Sequence, residues 1–336
     1  MDDVDPAVRA TAAGRLALVT ATVEVLDAMV GAGIRAILLK GPATARLYGD
    51  PSLRPAGDVD LLVEPRQAGA AAQVLESLGF QDPLAKARSH EREAHAVAFY
   101  RSGALPACVD LHRTMYWSHH DSEALWHEFS RATTFIELED RRVEALGDPA
   151  QALVIAGHAL RHLHAAKPLE DLRRALAVYE HDTWVEAVAM AKRLGAESVL
   201  AAGLRLVDAG NALADALGLE ENSASAEVRL RVAGPPPIAL GVMRLAQTRS
   251  IRGRAAVALG EVFPTPAAMR YWHGFAGRGR AALAFAYLCR PVWLALKLPG
   301  AYRAWRAANS CSVRGRSLRS ADERVREGLR RWDRDG

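Results

Sequence analysis

Residues 57–63 read Gly57-Asp58-Val59-Asp60-Leu61-Leu62-Val63, and the fold turns on how this stretch is read. In an extended chain, residues two apart project to the same side. Asp58 and Asp60 would then share one face, leaving Val59, Leu61 and Val63 for the other. Two carboxylates so close repel each other in a protein interior unless a cation stands between them. A hard, oxygen-seeking ion such as Mg²⁺ suits the pair, and phosphate is its natural co-ligand. The stretch is therefore a candidate metal and triphosphate site.

Upstream, Ile34 to Leu39 is an apolar run of strand length that ends in Lys40-Gly41-Pro42. Glycine permits close backbone approach there and proline opens a helix. The expected order is strand, glycine turn, short helix over 43–48, loop through Arg54-Pro55, then the strand with the paired aspartates. That order is similar to the nucleotidyltransferase superfamily with a DNA polymerase β-like palm. More narrowly, the chain resembles the uncharacterised bacterial nucleotidyltransferase family, through Leu39, Lys40, Gly41, Arg54, Pro55, Gly57, Asp58, Asp60, Leu61 and Leu62. The wider superfamily has Gly-Ser and a shorter spacer before its aspartates. Lys40-Gly41 and the longer loop depart from that pattern.

Such palms take a third carboxylate from a later strand. Asp110, in Val109-Asp110-Leu111-His112, is set in an alternating apolar run ahead of the helical half of the chain. A strand at 95–101 and the Ser102-Gly103 turn precede it, which predicts a hairpin. Family members carry a similar Asp-x-His, so the resemblance also brings in His112, as a weaker candidate. The expected catalytic residues and metal ligands are Asp58, Asp60 and Asp110, around two Mg²⁺ ions. Lys40, Gly41 and Arg54 are the expected nucleotide-binding residues. Asp171, in Leu169-Glu170-Asp171-Leu172, matches a family element that closes over the site and is a weaker candidate, for acceptor binding; a helix-start acid favoured by the macrodipole is the preferred reading. The implied reaction moves a nucleoside monophosphate from an NTP, ATP among them, to an unidentified acceptor and releases pyrophosphate. The acceptor would be a small molecule, peptide or RNA.

Half of the 336 residues are hydrophobic and a quarter charged, which excludes global disorder and leaves room for two domains. Cys108, Cys289 and Cys311 are far apart and form no Cys-x-x-Cys, against a disulfide framework or zinc ribbon. With an acidic Met1-Asp2-Asp3 start, this predicts a cytoplasmic protein. The fold class expected is α+β. A small mixed-sheet palm with an N-terminal helix (Leu16, Val19, Val23, Leu26 and Val30 as its stripe) fills 1–147, a larger helical part 148–308, and a basic tail 309–336. Glycines 195, 210 and 218 are expected to break the helices, and Pro235-Pro236-Pro237 to act as a linker. His158, His162 and His164 invite a metal reading but lack the companion Glu of a zincin motif, so packing or phosphate-facing roles are preferred.

From Arg244 to Ser320 there are 14 Lys and Arg against one acid, Glu261, while the rest carries 29 basic and 38 acidic residues. This basic third suits an acidic acceptor, RNA or an anionic membrane surface. Ala281 to Leu298 is the most apolar stretch, but Arg290-Pro291 should interrupt it short of the ~20 residues a membrane span needs, so no transmembrane span is expected. A core helix with arginine on its wet face is preferred there to an amphipathic interfacial segment. Two other classes stay open: a polynucleotide- or protein-modifying enzyme of antitoxin type, and a non-catalytic adaptor or binding protein of a biosynthetic pathway.

Overall fold

Six strands form one mixed sheet: β1 (Ala36–Leu38), β2 (Val59–Val63), β3 (Ala96–Arg101), β4 (Ala107–His112), β5 (Thr133–Leu138) and β6 (Arg141–Leu146). Their spatial order is β3-β4-β2-β1-β6-β5. β2 runs parallel to β4 and antiparallel to β1, and β1 runs parallel to β6. The computed structural model describes residues 6–55, 57–87, 95–103, 106–117, 121–162, 165–220, 226, 229–230 and 238–309. His164, the three prolines from 235 and the tail from 310 lie outside them.

The alternation read in the sequence decides which face is which. Val59, Leu61 and Val63 join Val109 and Leu111 in a core closed by α1 (Pro6–Gly31) and α3 (Ala68–Ser77). Burying each such side chain contributes about 1.5–3 kcal/mol. A one-residue slip of β2 would drive Asp60 into this core, so the apolar set locks the register. In α1 the buried stripe is Leu18, Val25, Leu26 and Met29, whereas Leu16 and Val30 are exposed, a rotation from the expected stripe.

After α2 (Pro42–Ala45) and α4 (Ser122–Phe129), the helical half comprises α5 (Asp148–Arg161), α6 (Ala166–Val178), α7 (His181–Arg193), α8 (Glu197–Leu204) and α9 (Asp208–Ala216). Then come α10 (Ala239–Gln247), α11 (Ile251–Val262), α12 (Pro266–Trp272) and α13 (Arg280–Asn309). Two compact units result. One takes the described residues within Met1–Asp82, Ala94–Ala159 and Lys167–Leu200; the other takes those within Pro83–Glu93, Leu160–Ala166 and Ala201–Gly336. The first unit thus runs beyond the expected boundary at 147/148, because α5 hydrogen-bonds to the end of β1: Gln151 Nε2 donates to Leu39 O at 2.9 Å.

Two helix expectations change. Gly210 sits inside α9 rather than breaking it, because the Leu204 carbonyl packs where a Cβ would stand. α13 runs on through Pro291 and Pro299 for 30 residues. A proline removes one helix donor; here the lost bonds are offset by packing, with Ala301 and Ala308 in the same apolar cluster as Ala239 and Met243 of α10.

Candidate active site

β2 and β4 pair in parallel with Asp60 opposite Asp110 and Leu62 opposite His112. Directly opposed residues project to the same face, so both aspartates and His112 emerge together on the side away from the α1/α3 core. Single ligand atoms of Asp60, Asp110 and His112 lie within 4.8 Å of one another.

Asp60 is fully buried, and its Oδ1 accepts from Lys40 Nζ at 2.7 Å and meets His112 Nε2 at 3.1 Å. Burial opposes its ionisation, but the Lys40 ammonium and then His112 hold the carboxyl far below the usual carboxylate range. Asp110 behaves in the opposite way. Burial, then the charges of Asp60 and Asp58, push its carboxyl up to about 6. Cys108 shares this face, and burial with the neighbouring Asp110 and Asp58 pushes its thiol up to about 12. It stays protonated, so it is no thiolate nucleophile.

Asp58 is half-buried and precedes the first paired residue of β2. It lies outside the 4.8 Å set yet close enough for its charge to act on Asp110.

Gly41 adopts φ 65°, and a Cβ there would stand 3.2 Å from the Asp58 carbonyl, so this turn requires glycine. Its carbonyl accepts from Arg54 Nη1 at 3.1 Å. Arg54 is buried and grips Asp171 with both arms, Nε to Oδ1 at 2.8 Å and Nη2 to Oδ2 at 2.9 Å. Tyr48 Oη donates to the same carboxylate at 2.9 Å, and burial plus that charge raise its own ionisation well above normal. Asp171 is thus a buried clamp in the second turn of α6 rather than a helix-start acid.

The expected phosphate ligands Lys40 and Arg54 are therefore engaged by carboxylates. Lys167 is a cation that sequence reading passed over. Its Nζ packs where a Cβ on Gly57 would stand, 2.6 Å away. Burial and then Arg54 lower its proton affinity, against the pull of Asp58, Asp171 and Asp60. It stands four residues before Asp171, on the same helix face, and that spacing was the available signal.

α5 closes this face. His158 Nδ1 lies 3.3 Å from Lys40 Nζ, and Gln151 Nε2 also reaches Thr44 Oγ1 at 3.1 Å. Tyr116 Oη donates to Gly157 O at 3.0 Å, while the Trp117 ring occupies the space a Gly157 Cβ would need. Gly157→Ala should therefore cost about 1–3 kcal/mol, the range for overpacking. Urea unfolding checks this, and an unchanged midpoint would refute the contact. Neither His158 nor His162 joins a metal-spaced group among the described residues.

The donor chemistry fits a divalent ion. Two carboxylates suit Mg²⁺, and the imidazole widens the choice to softer ions such as Mn²⁺. Burial, then the charges of Asp60 and Asp58, raise Asp110's proton affinity, and His112 Nδ1 is buried with no hydrogen-bond partner among the described residues.

The mixed sheet thus aligns two aspartates on adjacent parallel strands. The chain belongs to the uncharacterised nucleotidyltransferase family, whose model matches residues 2–209. Among solved structures it is similar to an antigenic nucleotidyltransferase-like protein from Paracoccidioides brasiliensis. The two are 16% identical over 56% of this chain and 91% of that one, with a TM-score of 0.34. No curated protein matches it.

Proposed function

We propose that the protein is a divalent-metal-dependent nucleotidyltransferase that transfers a nucleoside monophosphate from an NTP to an acceptor nucleophile and releases pyrophosphate. The observation that carries this reading is the Asp60–Asp110 pairing on parallel strands, with His112 completing the set. Asp60, Asp110 and His112 would hold the ion, with Asp58 at the edge toward a second. Bound there, a divalent ion supplies charge for the triphosphate and lowers the pKa of an attacking hydroxyl.

The chain's own residues do the rest. Asp110 would complete the ligands of the ion that acidifies the acceptor's hydroxyl. Lys40 neutralises Asp60 in this structure and is free to turn to a phosphate once another cation takes that carboxylate. Lys167 adds a second cation beside Gly57. Arg54 acts by fixing the Gly41 turn to α6 through Asp171.

The test is pyrophosphate release from each NTP with Mg²⁺ or Mn²⁺, with mass spectrometry of candidate acceptor pools. Release should stop when EDTA removes the metal. The engagement of both Lys40 and Arg54 by carboxylates favours one other reading, a binding protein that keeps the palm without turnover. Metal-dependent NTP binding by calorimetry without any pyrophosphate would decide for that reading. Absence of NTP binding would end both.

A further inference from the structure

We infer that the C-terminal helical unit docks on the surface of an anionic lipid bilayer, with α13 lying in the membrane plane. The region lies beyond the residues matched by the family model, and the inference stands apart from the proposed reaction.

α13 has two unlike faces. Phe285, Leu288, Val292 and Leu296 follow one another at three- and four-residue steps, so they form one stripe. They are 60%, 76%, 63% and 75% exposed, values that place nearly whole apolar side chains in water. Nothing in the described structure covers them. The opposite face is packed: Ala286, Arg290, Ala301 and Ala308 are buried.

Charge indicates what covers the stripe. Residues 251–309 carry nine Lys and Arg and one acid, Glu261. That acid is already held by Arg244 at 2.8 Å and Arg290 at 3.6 Å. Arg278 and Arg280 precede the stripe, and Arg303 continues its line two turns beyond Leu296. An apolar line with cations at both ends, on a convex helix, matches acyl chains flanked by anionic headgroups. A second copy of this chain would instead bring like charges together. The wider surface agrees: among the described residues, twelve of the nineteen large exposed hydrophobics lie between Ile251 and Tyr302.

By length and composition α13 is also sufficient to cross a bilayer. Its packed face argues for the in-plane arrangement. Arg290 Nε donates to Glu261 O at 2.9 Å, and its guanidinium lies 5.1 Å from the Trp272 ring and 5.3 Å from that of Trp293. A spanning helix would have to strip away Glu261 and Trp272, which lie on other helices, and leave a charge in hydrocarbon.

The experiment is vesicle flotation of the full chain. The vesicles are phosphatidylcholine alone, or with about one-third phosphatidylglycerol, at low and high salt. The protein should float with the anionic vesicles and less so at high salt, and alkaline carbonate should release it. Leu288→Glu with Val292→Glu should weaken partitioning by about tenfold or more with an unchanged melting curve. If the glutamates disturb folding, Leu288→Ser with Val292→Ser serves instead. No flotation of the wild type, or equal flotation of a folded stripe variant, overturns the inference. Resistance to carbonate overturns the in-plane arrangement. Self-association abolished by the same variants, without vesicle binding, assigns the stripe to a second copy of the chain and likewise overturns it.

Discussion

Asp60→Asn and Asp110→Asn are expected to abolish turnover alike, by about 10³-fold or more, while moving stability in opposite directions. The substitution is chemically the same and the residues face each other across two paired strands. Their surroundings differ. Asp60 is the anion for Lys40 and His112, so neutralising it leaves a largely buried ammonium without its partner. That should cost about 3 kcal/mol, since breaking one side of a buried pair strands the other charge. Its folded pKa is depressed, so the pair's contribution is complete above the unfolded carboxylate value and is lost progressively as pH falls below about 4.

Asp110 has the reverse sign. Its folded pKa is raised to about 6, so the folded protein binds the proton more tightly than the unfolded chain. Stability therefore falls as pH rises from about 4 to about 6, then stays lower. Removing the charge should stabilise the metal-free protein by about 2–3 kcal/mol at pH ~7.5 and by only about 1 kcal/mol at pH ~4.5. Urea unfolding in EDTA at the two pH values measures this. Saturating Mn²⁺ should stabilise the wild type and leave Asp110→Asn unmoved. Loss of stability in both variants at neutral pH would show that Asp110 is an ordinary satisfied carboxylate.

The second large effect concerns the Arg54–Asp171 clamp. Arg54→Ala and Asp171→Ala should each cost about 3–5 kcal/mol, because each leaves its buried partner unpaired. The double replacement Arg54→Met/Asp171→Leu should recover most of that loss, since neither charge remains to be desolvated. The clamp joins the Gly41 turn to α6, so even the stable double variant should bind NTP more weakly. Chemical denaturation with calorimetric NTP titration tests both parts. Single variants within about 0.5 kcal/mol of wild type, the range of ordinary surface changes, would show the pair to be energetically idle.

Much of the palm was legible because its signals are local. The period-two alternation around Asp60 and Asp110 gives strand, face and buried side at once, and the φ of Gly41 follows from a turn that only glycine enters cheaply. What escaped was partner choice. Arg54 reads as a phosphate ligand because arginine fits phosphate, yet an aspartate 117 positions later takes both its arms. Lys167 carries no motif and acquires meaning only when α6 is brought beside Gly57. Arg290-Pro291 reads as a helix end because proline breaks isolated helices, whereas tertiary packing carries α13 through it.

The order of residues by itself determined a palm of alternating strands, two aspartates bound to point away from its apolar core, and a basic, apolar C-terminal third. Only the tertiary structure decided that Asp60 stands beside Asp110 and His112, that Asp58 stays at the margin, and that Lys40 and Arg54 are held by carboxylates. The division has a physical cause. Periodicity and turn preference act between near neighbours, while strand register and ion pairing are settled by burial and charge between residues distant along the chain.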